Sequence, residues 1–189
     1  MLFIYYLFIL AIYPIITFLL CNNNILAWLI FNIPIIIIEI VGYKNRYELK
    51  PLKNNESIFL QPVKNTEEFI NKIWEEYGRI DSRYLDKNRH YVWNFELGNV
   101  ILILLLGFAY FYNSKNSKNS NNWIKTFLIL QILNCILYFI TYFYDYIKNW
   151  NSNLKNKMEN KNIDYIFIFK QVLYLSISSI WIFIPYLIL

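Results

Sequence analysis

Residues Asn32–Tyr43 read NIPIIIIEIVGY. Continued back to Ile25, the apolar run is about 18 residues long, which at 1.5 Å per residue approaches the 30 Å hydrocarbon core of a bilayer. Glu39 stands inside it. A carboxyl at that depth is costly unless it faces other protein or a water-filled space. Asn32 lies seven positions earlier, on the same helical face as Glu39. The stretch therefore reads as a membrane-crossing helix that turns one polar stripe inward.

The rest of the chain repeats this pattern. Of its 189 residues 57% are hydrophobic and 20% aromatic, with a mean hydropathy of +0.31, above the usual composition of soluble domains. The excess is gathered into blocks separated by polar, Asn- and Lys-rich connectors. Five blocks, at about 1–20, 25–42, 92–112, 123–147 and 163–189, are long enough to span. The first has neither a basic start nor a small-residue cleavage site, so it reads as a retained helix rather than a signal peptide. The expected fold is all-α: a single polytopic domain over 1–189, a bundle of five transmembrane helices with one interfacial amphipathic helix.

That amphipathic helix falls in the connector of about 43–91. Asn65-Thr66-Glu67-Glu68 forms a helix start with acids in its first turn. Phe69, Ile70, Ile73, Trp74 and Tyr77 then recur at helical spacing, opposite Glu67, Lys72, Glu75 and Glu76. The pattern predicts a helix over about 66–77 on the membrane surface, ended by Gly78, with a soluble partner helix as the alternative. Most Lys and Arg fall on the connector side, which the positive-inside rule would make cytoplasmic, but nearly as many acids accompany them there.

Composition excludes several functions. The net charge of +5 comes from connector lysines and arginines, which suit lipid headgroups better than nucleic acid. Cys21 and Cys135 are far apart and His90 stands alone, so no disulfide framework or zinc spacing exists. No cofactor is expected. The run NSKNSKNSNN (113–122) reads as a solvated loop.

Polar residues within the blocks carry the remaining information. Glu96 and Asn99 form an i,i+3 pair in the third block. Gln131, Asn134, Tyr138, Thr141 and Asp145 step by three or four along the fourth, and Lys170, Tyr174, Ser178 and Trp181 do so along the fifth. Stripes of this kind facing lipid would be unstable, so they are expected to surround a shared cavity. Topology puts Glu39, Glu96 and Lys170 near one membrane face, with Asp81, Arg79 and Arg83 tethered there. Two carboxyls in a low-dielectric pocket suit proton donation and removal, with a bland alternative in which Lys170 neutralises them to hold helices together. The π-face of Trp181 suits a cation. Asp81 and Arg83 either cap the cavity or pair to pin the connector.

The segment WEEYGRIDSRY (74–84) resembles the W-x-x-Y-G-x-x-D-S-R-Y segment of the emopamil-binding protein family, the five-helix sterol Δ8–Δ7 isomerases and their non-catalytic relatives that share the EXPERA domain. NFELGN (94–99) resembles that family's third-helix segment, LQILNCILYFIT (130–141) its Gln-bearing fourth helix, and SSIWIFIP (178–185) its Trp- and Pro-bearing end. The resemblance covers about 28–187. It implies Glu39, Glu96 and Trp181 as catalytic residues. Ligand contacts would be Asn99, Ser178, Lys170, Gln131 and Tyr138, and Tyr77, Asp81 and Arg83 would serve as cap or structural residues. Three positions depart from the family: Ile35 stands where it has His, Asn99 where it has Thr, and Ser178 where it has Asn. Ile35 cannot relay a proton or orient Glu39, and Lys170 is the alternative partner.

The resemblance implies a sterol Δ8→Δ7 isomerase, multi-pass in the endoplasmic reticulum membrane, with sterol or lipid-like molecules and cationic amphiphilic amines as ligands. The alternative within the superfamily is a non-catalytic sterol, lipid or amine binder. Outside it, the charged stripe reads as a proton or ion path. Membrane lipids surround the chain, nucleic acid is not an expected partner, and a homodimer stays open.

Overall fold

The computed structural model describes residues 13, 15–50, 63–89, 91–115, 121–159, 172, 175, 176 and 178–189. Every regular element among them is helical: α1 (Asn24–Asn45), α2 (Thr66–Ile80), α3 (Tyr91–Lys115), α4 (Asn121–Glu159) and α5 (Ile180–Ile188). Short 3-10 turns at Ser82–Tyr84 and Lys87–Arg89 connect α2 to α3. Three helices are long and apolar enough to cross a membrane, over Asn24–Asn45, Tyr91–Tyr112 and Asn122–Lys148. They coincide with the second, third and fourth expected spans. The first expected span lies largely outside the described residues, as does the front of the fifth with Lys170 and Tyr174. His90 also lies outside them. α4 is longer than its apolar block; its 39 residues extend about 58 Å, well beyond the hydrocarbon.

Local chemistry fixes the helix ends. Asn23 Oδ1 accepts from the backbone N–H groups of Ile25 (2.9 Å) and Leu26 (3.0 Å), capping α1. Asn65 Oδ1 accepts from Glu68 N at 2.8 Å at the start of α2, and the Glu68 carboxylate accepts from Lys64 N at 2.8 Å. Pro34 has no N–H to give to the carbonyl of Ile30. That carbonyl instead accepts from the Tyr13 hydroxyl at 3.0 Å, so the first block repairs the break in α1.

The packing is inverted relative to a soluble bundle. Ile33, Ile37 and Ile40 of α1, Ile101, Leu104 and Phe108 of α3, and Leu133, Leu137 and Ile140 of α4 are exposed. Asn32, Glu39, Asn99 and Gln131 on the same helices are buried. Apolar residues outward and hydrogen-bonded polar residues inward is the arrangement that lipid favours. Asn134 adds a tie between helices, donating to the carbonyl of Phe95 at 2.9 Å.

α2 has the amphipathic face the sequence predicts, but presents it to protein. Ile70 and Trp74 are buried, packed with Tyr84, Val92 and Trp93. The Trp74 indole donates to the carbonyl of Ile38 on α1 at 2.9 Å. Lys44 and Asn45 at the end of α1 hold Glu67 at 3.0 and 2.9 Å. Gly78 does not end the helix, which runs on to Ile80 with Asp81 as its cap. Its role is steric: a Cβ there would lie 2.3 Å from Leu85 Cγ.

Candidate functional site

α1, α2, α3 and α4 and the segment around Ser178 and Trp181 line one cavity of about 100 Å³. Its polar wall is made of Glu39, Glu96, Asn99 and Asn134, and most of the rest is apolar or aromatic. Ile73, Trp74 and Tyr77 close it from α2, so the docked connector helix forms part of the wall.

The carboxyls of Glu39 and Glu96 lie close together on the cavity wall. Each accepts a hydrogen bond from a neighbouring side chain. Asn99 Nδ2 donates to Glu39 Oε1 at 3.0 Å, and the Tyr84 hydroxyl donates to Glu96 Oε1. Among the described residues no hydrogen-bond donor reaches Glu39 Oε2, although it is buried. Two carboxylates close together in a site sheltered from water repel each other.

Trp181 lines the same cavity. Its ring is braced by Trp28 (centroids 6.4 Å apart, edge-on) and Phe31 (5.9 Å). Its N–H donates to Asn32 Oδ1 at 3.3 Å, while Asn32 Nδ2 donates to the carbonyl of Trp28 at 2.8 Å. These contacts fix the orientation of the indole at the cavity wall. Ile35, one turn before Glu39, also lines the cavity, as do Ser178, Cys135 and Tyr138.

The charged connector is anchored immediately beside this site. Arg83 forms a fork with Asp81, Nε to Oδ1 at 2.8 Å and Nη2 to Oδ2 at 2.7 Å, with both side chains buried. Arg83 Nη1 also donates to Thr141 at 3.0 Å, and the Tyr138 hydroxyl donates to Asp81 Oδ2 at 2.7 Å. Burial pushes the Arg83 guanidinium down, but the hydrogen bonds and charge of Asp81 more than offset it and hold the guanidinium charged. Asp145 on α4 joins from further out, accepting from Tyr91 at 2.7 Å and lying 3.5 Å from Arg89. The fork thus clamps the connector to α4, and the next residue, Tyr84, reaches Glu96.

The structure brings Glu39, Glu96, Trp181, Asn99, Ser178, Tyr138 and Tyr77 to one cavity. Asp81 and Arg83 are not part of its wall and act on it through Tyr138 and Tyr84. Gln131 is also off the wall, fully buried between Trp28 and Asn99. Sequence reasoning passed over Trp28 and Tyr84 as site residues. The spacing of Trp28, Asn32, Ile35 and Glu39, by steps of four, three and four, already placed Trp28 on the polar face of α1. Tyr84 follows the charged cluster with no periodicity to mark it.

Compared with known proteins, the chain matches no family model, no curated protein and no solved structure.

Proposed function

We propose that the chain is an intramembrane sterol Δ8→Δ7 isomerase of the emopamil-binding type. The observation that carries this reading is the single cavity walled by Glu39, Glu96 and Trp181. An acidic proton from the carboxyl pair goes to C9 of a Δ8 sterol, leaving a cation at C8 that faces the Trp181 ring and the nearby carboxylate. The conjugate carboxylate removes a proton from C7, and the electron pair of that C–H bond closes the C7=C8 double bond. The two carboxyls are neighbours, so the proton returns to its donor without leaving the cavity. The reaction is redox-neutral and needs no cofactor. In this reading the chain has five spans and resides in the endoplasmic reticulum membrane.

One observation favours the second reading, a non-catalytic binder of sterols, lipids or cationic amphiphilic amines. Ile35 lines the cavity one turn from Glu39, so an aliphatic group stands where the family has its proton-relaying His.

Expression in yeast lacking its own Δ8–Δ7 isomerase separates the two. Restored Δ7 sterols support the isomerase. No conversion, with retained binding of a cationic amphiphilic amine, supports the binder. Glu96→Gln should weaken amine binding more than Asn99→Ala does; equal effects would remove the electrostatic basis of both readings.

A further inference from the structure

A line of hydrogen bonds runs through the bundle to Glu39. The Trp28 indole Nε1 donates to Gln131 Oε1 at 3.1 Å, Gln131 Nε2 donates to Asn99 Oδ1 at 3.0 Å, and Asn99 Nδ2 donates to Glu39 Oε1 at 3.0 Å. An indole N–H donates and never accepts. It therefore fixes which end of the Gln131 amide faces it, and that choice fixes the Asn99 amide in turn. If either amide turned over, two donors or two acceptors would meet in a region sheltered from solvent. Trp28, Gln131, Asn99 and Glu39 are 0%, 1%, 5% and 6% exposed, leaving little room for water to repair such a mismatch.

From this we infer that Trp28 is a positioning residue for Glu39. It lies eleven positions earlier on the same helix and acts through two amides on neighbouring helices. Its N–H keeps a donor pointed at Glu39 Oε1, so the oxygen left open is Oε2, which is buried without a donor among the described residues. The polarity of the line thus selects which Glu39 oxygen exchanges protons. Gln131, off the cavity wall, serves as the middle link rather than as a ligand contact. This deepens the proposed acid–base reading and rests on it for its functional meaning.

Infrared spectroscopy of the full-length protein in lipid nanodiscs tests the inference without any substrate, so its outcome is independent of sterol conversion. The Glu39 carboxyl stretching band is assigned as the band lost in Glu39→Gln. Asn99→Leu removes the donor to Oε1 and defines the shifted frequency. Trp28→Phe keeps an aromatic ring against Phe31 and Trp181 but deletes the N–H. It should move the Glu39 band toward the Asn99→Leu position, as a pure packing change would not. Gln131→Leu cuts the line at its middle, touches no cavity surface, and should give the same shift; it also stands in if Trp28→Phe fails to fold. A Glu39 band unchanged in either variant, with Asn99→Leu shifted, overturns the inference.

Discussion

The hydroxyl of Tyr84 donates to Glu96 Oε1, so a residue of the polar connector holds one of the two cavity carboxyls. Tyr84 is itself fully buried among Trp74, Tyr77 and Trp93. Burial, and then the charge of Glu96, push its phenol well above the ordinary tyrosine range, so it remains a donor through neutral and mildly alkaline pH. Tyr84→Phe keeps the ring cluster but leaves a buried acceptor unpaired, at a cost of about 1–3 kcal/mol. Amine affinity in reconstituted protein should change by roughly tenfold, the equivalent of about 1.4 kcal/mol. An unchanged dissociation constant would show that Glu96 does not depend on this donor.

Asp81 and Arg83 illustrate a buried ion pair that is costly to break from one side. Asp81→Asn leaves the buried guanidinium with only the more distant Asp145, 3.9 Å from Nη1, as counter-charge, and the expected loss is at most about 3–5 kcal/mol. Replacing both partners with apolar residues of similar size should cost less than the single change, because no charge is stranded. Denaturation midpoints of the three proteins in one detergent give the comparison. A double variant no more stable than Asp81→Asn would argue against stranded charge as the cause.

At Gly42, α2 comes close enough to α1 that a Cβ would lie 2.0 Å from the Trp74 indole nitrogen. Gly42→Ala gains about 0.5–1 kcal/mol of helix propensity. It also forces Trp74 off the carbonyl of Ile38, and overpacking of this kind costs about 1–3 kcal/mol. The net effect should be destabilising. Gly107→Ala is the control, since its added Cβ meets only Leu29 at an ordinary 3.6 Å; that variant should match or exceed the parent melting temperature.

Much of this arrangement was legible in the sequence because lipid makes polar residues informative. Asn32 and Glu39, and Glu96 and Asn99, had to face protein, and the structure turns both pairs inward. Asn65 and the acids after it marked the start of α2 through ordinary capping chemistry. Other features were hidden for physical reasons. A glycine inside a helix and one that ends it look alike until its neighbour is known, so Gly78 read as a stop. The amphipathicity of α2 was plain, but a periodic pattern does not distinguish a lipid surface from a neighbouring helix. The Trp28–Gln131 bond joins residues 103 positions apart, and no local pattern announces it.

The tie between Glu67 and the end of α1 should give the docking of α2 a small acid sensitivity. Hydrogen bonds from Asn45, then Lys44 and its charge, hold the Glu67 carboxyl below its ordinary value of 4.5. A group whose folded pKa is depressed stabilises the fold above its unfolded pKa, and that contribution disappears as pH falls through the folded value. Stability should therefore begin to drop as pH falls below about 4.5, with the effect reduced at high salt because the pair is exposed. Glu67→Gln should flatten that part of the curve of denaturation midpoint against pH. If its curve follows the parent's, the acid sensitivity comes from another carboxyl.

Ile35→His tests whether the cavity needs an imidazole for chemistry. Ile35 lines the cavity, is mostly buried, and precedes Glu39 by four positions, so its side chain lies over the same helical face. An imidazole there gains a carboxyl partner one turn away and a cavity to face, which offsets part of the roughly 1–3 kcal/mol expected for burying a polar group. If the parent chain converts Δ8 sterols slowly, the variant should convert them faster in isomerase-deficient yeast. The same substitution in a Glu39→Gln background should give less gain, because the imidazole then loses the carboxyl one turn away on its own helix and only Glu96 remains in the cavity. A parent with no conversion, and a variant that binds amine normally but also produces no Δ7 sterol, would place the deficit beyond position 35 and favour the binding role.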